Sequence, residues 1–160
     1  MTKREILQCF VDQLAEELET ITAAAKGSFD TATHEEHHAE GKYDTFSLET
    51  SYLARGQAKR VEALTDGLER LQQLPLKVFT KTSPIVLGAL VRMEAADGEC
   101  RAVLLGPSAG GEEIQVDGED IIIVTSASPL GKSILGKRVG DSFEIKIGYL
   151  AQQFTITSVE

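Results

Sequence analysis

The chain has only two cysteines in 160 residues, Cys9 and Cys100, and no Cys-x-x-Cys pair. A disulfide framework and a zinc finger are thereby excluded. Both thiols fall in apolar-periodic segments, far apart, and are expected to be reduced core residues of a cytoplasmic protein. Long apolar runs are also missing, so no segment is expected to cross a membrane. Met1-Thr2-Lys3-Arg4-Glu5 leads into amphipathic sequence with acids and does not have the form of a signal peptide. Positive charge is in the minority, 16 Lys and Arg against 25 Asp and Glu, for a formal net charge of −9. The excess is −6 over residues 1–76 and −3 over residues 77–160. A chain of that sign does not track a phosphate backbone by bulk attraction. Internal repeats and low-complexity segments are absent. What is present is enough apolar residue, 42%, to form a core, and enough length for one ordinary domain or two small ones.

The first half has the period of a helix. Thr2 and Glu5 have the spacing of a capping box. Leu7, Val11, Leu14, Leu18, Ile21 and Ala25 follow at alternating steps of four and three, the seam of a heptad pattern. Ile6 and Phe10 widen the stripe at its base. The pattern predicts a helix to about Ala25, weakened at Gly27 and Ser28, since glycine inside a helix costs about 1 kcal/mol against alanine. A second seam runs through Val61, Leu64, Leu68 and Leu71, with Phe46 and Leu53 before it. Asp44 or Thr45 can cap this helix and Pro75 ends it. Two seams joined by a reversible connection predict an antiparallel coiled-coil hairpin over residues 1–76.

The connection, residues 28–45, is acidic and short of aliphatic residues. Glu35, Glu36, Glu40 and Asp44 lie there, broken by Gly41. An apolar stem that carries acids at its tip looks built to insert something into a partner. The same stretch holds all three histidines. His34-Glu35-Glu36-His37-His38 fits the letters of the zinc-protease helix motif. That motif needs a buried helix, a third ligand and a substrate cleft, and this stretch has almost nothing apolar to bury it. No metal site of the chain's own is expected, beyond adventitious binding by His34, His37 and His38.

Residues 77–84 read as a linker bracketed by Pro75 and Pro84. From residue 85 to 160 the period changes to two. Ala89, Val91 and Met93 alternate with polar neighbours, Asp97-Gly98 is a hairpin signal, and Cys100 to Leu105 forms the return strand. Asp117-Gly118 is a second turn, before the buried run Ile121 to Val124. Ser128 and Pro129 start a short helix as cap and first residue, with Leu130, Ile134 and Leu135 on its apolar side and Gly136 at its end. Phe143, Ile145 and Ile147, then Phe154 and Ile156, complete a small antiparallel sheet. The fold class is α+β.

The block from Val124 to Asp141, with Ser128-Pro129, Leu135-Gly136 and an acidic turn at Gly140-Asp141, resembles the C-terminal signature of the bacterial Gre transcript-cleavage factors (GreA/GreB). Chain length and the hairpin-first order match as well. The resemblance implies an N-terminal coiled-coil hairpin and a C-terminal domain of FKBP-like fold. It implies docking on bacterial RNA polymerase at the rim of its secondary channel through a surface that includes Ser128, Pro129, Leu130, Gly131 and Asp141. The hairpin would enter the channel, and tip acids would help hold a Mg²⁺ shared with the polymerase, which then hydrolyses backtracked RNA. The protein would be a monomer without intrinsic cofactor or membrane contact, a helper of the polymerase's hydrolysis and not itself an enzyme.

The family tip reads roughly Gly-Asp-x-x-Glu-Asn-Ala-Glu-Tyr. Aligning through Ala58-Lys59-Arg60-Val61 puts Glu40 at the aspartate and Tyr43 at the glutamate, with Asp44 one residue on. Slipping by three puts His37 and Glu40 there. Neither register reproduces both acids. Magnesium usually takes one or two protein carboxylates and keeps several waters, so Glu40 and Asp44 are the leading candidates and Glu36 a further one. Arg55, Lys59 and Arg60, with Lys26 and Lys42, would form a basic strip facing channel acids or extruded RNA. Three other outcomes stay open: a non-cleaving or inhibitory channel binder, a coiled-coil adaptor with no polymerase link, and an FKBP-like prolyl isomerase. The last wants an aromatic-lined pocket, and the second half offers only Phe79, Phe143, Tyr149 and Phe154.

Overall fold

The computed structural model describes residues 1–35, 44–147 and 150–160, without side chains at 25, 28–35, 44–54, 147 and 150. Two helices come first, α1 (Lys3–Glu35) and α2 (Asp44–Gln72). Six strands and one short helix follow: β1 (Leu90–Ala95), β2 (Cys100–Gly106), β3 (Glu113–Val116), β4 (Glu119–Thr125), α3 (Pro129–Ile134), β5 (Ser142–Ile147) and β6 (Leu150–Val159). The chain divides into two compact units. One joins Met1–Val11 to Gly67–Glu160; the other is Asp12–Asp66. The first turns of α1 and the last turns of α2 therefore belong with the sheet.

The capping box forms as its spacing predicts. The Glu5 backbone N–H donates to Thr2 Oγ1 at 3.3 Å, and the Thr2 N–H donates back to Glu5 Oε2 at 2.6 Å. That donation from the Thr2 N–H, ahead of its hydroxyl, holds the Glu5 carboxyl below its ordinary range. α1 then runs past Gly27 to Glu35. One glycine costs too little to stop a long helix, because propagation needs no new nucleus. Leu7, Val11 and Leu14 of the first seam are buried, as are Leu64 and Leu71 of the second. In the Asp12–Asp66 unit, Arg60 Nη2 donates to Glu17 Oε1 at 2.7 Å. In the sheet unit, Leu7, Gln8 and Val11 line a hollow together with Gln72 and Leu74. Low numbers meet high ones in both places, so the helices run antiparallel.

The sheet has the order β3-β4-β2-β1-β6-β5. It is mixed and not wholly antiparallel: β2 and β4 pair parallel, Ala102 opposite Ile121 through Gly106 opposite Thr125. β3 causes this. It forms a hairpin with β4 on the far side, so β4 re-enters beside β2 in the same direction. The β3–β4 turn has φ +53° at Asp117 and +83° at Gly118, the two positive values of a type I′ turn. A bulge falls in β6 opposite Arg92 and Met93. It lets Phe154, Ile156 and Val159 all reach one core despite the broken alternation.

Both faces of the sheet are covered. One core gathers Val91, Met93, Val103, Leu105, Phe143, Phe154 and Ile134 of α3. The alternate positions Leu90, Leu104, Ile121 and Ile123 are equally buried, so they belong to the opposite face. There the helix bases sit. A Cβ at Gly106 would lie 3.6 Å from Leu71 Cδ2, and Ser108 Oγ donates to the Gly67 carbonyl at 2.8 Å. Ile6 and Phe10 of α1 are buried as well. Two-sided burial explains why β2 and β4 read as apolar runs and not as alternations.

Polar contacts fasten the same base. The Met1 amine donates to Asp117 Oδ2 at 3.1 Å, and Lys3 Nζ donates to the Lys77 carbonyl while lying 4.6 Å from the Phe79 ring centroid. Arg92 Nε donates to Glu119 Oε1 at 2.8 Å, its Nη2 donates to Oε2 at 2.9 Å, and its Nη1 donates to Glu160. The hydrogen bonds to Glu119 hold the guanidinium pKa up against partial burial. Cys100 is exposed at the mouth of the Asp97-Gly98 turn and Cys9 is half-buried, so neither is the core thiol expected from its setting. Both are free. Leu71 is fully buried, and Leu71→Ala is expected to cost about 3 kcal/mol in urea unfolding, with one cooperative transition reported alike by helix and sheet signals of the unit.

Candidate functional site

The expected site has three parts, and the structure treats each differently. Glu36 and Glu40 lie outside the described residues, as do His37, His38 and Gly41. Asp44 is the first residue of α2 and His34 lies in the last turn of α1. Among the described residues no group of three potential ligands is placed to hold a metal ion. Arg55 and Lys59, four apart on α2, are both exposed. Arg60 is exposed too, but its guanidinium is tied across the helices to Glu17.

The block from Ser128 to Asp141 is fully described, and its geometry is built from local donors. Ser128 is the N-cap of α3: its Oγ accepts from the Gly131 N–H at 3.0 Å. The same hydroxyl donates to the Thr125 carbonyl at 2.8 Å, which also accepts from the Ser128 N–H at 3.0 Å. Pro129 takes the first helical position, where its missing N–H costs nothing. Gly131 passes so close to the end of β4 that a Cβ there would lie 1.9 Å from Thr125 O. Ile134 is fully buried, and Leu130 packs against the same core from the side. Asp141 Oδ2 accepts from the Arg138 N–H at 2.8 Å, and the Asp141 N–H donates to the Arg138 carbonyl at 3.1 Å.

Ser128, Gly131 and Asp141 are therefore engaged in shaping the block. Their side chains and close approaches hold α3 against the sheet. Pro129 and Asp141 of the expected docking residues are nonetheless exposed, and Lys132, Leu135 and Arg138 are exposed beside them, with Leu135 at 46%. Periodicity alone placed Leu135 on the apolar side of the helix. The signal that it emerges is its place as C-cap, one residue before Gly136 at φ +78°.

Two of the aromatics that a prolyl-isomerase pocket could use are taken up by the core, and Tyr149 lies outside the described residues. Phe143 and Phe154 are buried and stacked on each other, centroids 5.9 Å apart. The hollow on the sheet, about 420 Å³, is lined by Glu94, Ala95, Ala96, Gln153, Thr155 and Thr157, with no aromatic ring. Among the described residues, no helix is long and apolar enough to cross a membrane.

Comparison with known proteins finds a family and several relatives. The family model for the C-terminal region of the transcription elongation factors GreA/GreB matches residues 81–160. The transcription inhibitor protein Gfh1 of Thermus aquaticus is 28% identical over 149 residues, covering 92% of this chain and 87% of that protein. Among solved structures, the Thermus thermophilus GreA factor homolog Gfh1 is 24% identical with a TM-score of 0.39, covering 94% of each chain. A GreA/GreB elongation factor from Nitrosomonas europaea is 19% identical with a TM-score of 0.33, covering 64% of this chain and 90% of its own. The tightest local constraint gives a direct check: Gly131→Ala is expected to destabilise by about 3 kcal/mol, because backbone at Thr125 cannot yield to a methyl group. Thermal unfolding should show this as a clear loss, against a small one for Ser133→Ala.

Proposed function

The chain belongs to the GreA/GreB family of transcription elongation factors, and on that premise we propose that it docks on bacterial RNA polymerase and regulates it from the secondary channel. The observation that carries this reading is the extent of the family match, which takes in the linker's end, the sheet and α3. The sheet unit would be the docking part and the paired helices the part presented to the channel. The protein would bring no cofactor of its own, and any chemistry would be that of the polymerase.

The outcome favoured for the docked state is inhibition without cleavage. Its support is the likeness to an inhibitor across 92% of the chain. Second support comes from the stretch between the helices, where neither alignment register reproduces both family acids. Occupying the channel would itself slow the enzyme. Arg55 and Lys59, exposed on one face of α2, would meet channel acids or extruded RNA; Arg60 would contribute less, its charge being matched by Glu17.

The second reading, stimulation of cleavage, has an observation of its own. The segment before α2 carries Glu36 and Glu40, and Asp44 opens the helix. Two of these would suffice as ligands for a magnesium ion that keeps several waters. In a two-metal site such an ion activates the attacking water, and the chain's carboxylates would do no more than hold it in place.

Stalled, backtracked polymerase complexes with labelled RNA separate the readings. Binding with slowed extension and no RNA shortening is the expected result. Shortening that disappears in a Glu40→Ala/Asp44→Ala variant would replace inhibition with cleavage. Failure to co-purify with core polymerase would remove the polymerase reading and leave a coiled-coil adaptor.

A further inference from the structure

The chain carries 25 acidic residues, yet residues 77–93 and 121–140 contain none. These two stretches, remote in sequence, fold against each other. The Ile85 N–H donates to the Lys137 carbonyl at 2.8 Å, and the Gly136 N–H donates to the Ile85 carbonyl at 2.8 Å. Arg138 Nε reaches the Thr82 carbonyl at 2.9 Å. The turn that offers this carbonyl is closed by the Ser83 N–H on Thr80 O, and it carries Lys81. One surface of the sheet unit thus collects Lys81, Lys132, Lys137 and Arg138. Lys81, Lys132 and Arg138 are exposed and Lys137 is half-buried. Among the described residues none of the four makes an ion pair. The nearest acid in sequence, Asp141, accepts from the Arg138 backbone N–H. The same two stretches expose two apolar side chains: Leu135 at 46%, and Leu87, two residues past the paired Ile85, at 38%.

We infer that this surface takes an acidic protein segment with an apolar anchor, the anchor meeting Leu135 and its carboxylates meeting Lys81, Lys132, Lys137 and Arg138. This rests on the docking role proposed above and names the chemistry of the polymerase segment that receives the sheet unit. Unpaired cations gathered on a protein of net charge −9 mark a place where charge complementarity is supplied from outside. An apolar centre with a polar rim is the anatomy of a protein interface. A nucleic acid is the poorer fit. Four cations beside an exposed leucine offer no track for a backbone and no aromatic platform for bases, and the rest of the molecule repels phosphate.

The side chains of Lys81 and Lys132 hold nothing else in place, so they can be reversed without loosening the block. Binding of the full chain to core RNA polymerase, measured across a salt series, tests the inference. Lys81→Glu/Lys132→Glu is expected to weaken binding by about tenfold or more at low salt and to flatten the salt dependence. Leu135→Ser is expected to weaken it at all salt concentrations. Unchanged thermal unfolding of both variants establishes that they are folded. Polymerase binding that ignores both variants overturns the inference and leaves the docking role standing. Absence of binding by the parent chain overturns both. A loss confined to an RNA or DNA oligonucleotide, with polymerase binding intact, assigns the surface to nucleic acid and overturns the inference.

Discussion

The burial of the helix bases on the sheet is the constraint on which the rest depends. β2 and β4 are apolar on both sides, and a sheet of that kind is unstable unless each face is covered. α3 and the strand-end loops cover one face. The other is closed by Leu71, Ile6 and Phe10, with Gly106 leaving room for Leu71. The start of α1 and the end of α2 thereby belong with the sheet and not to a separate coiled coil. The network of Met1, Lys3 and Arg92 with Asp117, Glu119 and Glu160 adds orientation to that seat more than strength, since each pair is partly exposed.

This seat matters for the proposed function. A regulator that docks through one part and acts through another must pass position from the first to the second. Here the sheet and the roots of the helices lie in one compact unit. α3 is fixed on the opposite face by equally local means: two donors on the Thr125 carbonyl, and a glycine where no side chain fits. What that rigidity presents outward is a cationic rim and Leu135.

The sequence showed these features unequally. Thr2 and Glu5, Asp117-Gly118 and Ser128-Pro129 were legible because caps and turns are decided by neighbours within a few residues. The heptad seams were legible because burial repeats with the helix. The parallel pairing of β2 with β4 was not, since it depends on which side of β4 the hairpin strand β3 takes. Cys100 misled because an apolar-looking strand begins at a solvent-facing turn, and Gly27 because its penalty is small beside a long helix. In the candidate site, Ser128, Gly131 and Asp141 stood out as a signature, and each has a part in shaping the block. Lys81 and Lys137 meet only through the backbone pairing of residues 85 and 137, which no local pattern announces. The acids expected at the tip, Glu36 and Glu40, lie outside the described residues, so their part of the reading still rests on the sequence.

Competition tests the central claim most directly: that this chain occupies the place on the polymerase used by its family. A GreA or GreB cleavage factor is added at fixed concentration to backtracked complexes, and the chain is titrated in while RNA shortening is followed. The account predicts that shortening falls progressively and is recovered by excess cleavage factor. Shortening that holds steady at saturating amounts of the chain would contradict it.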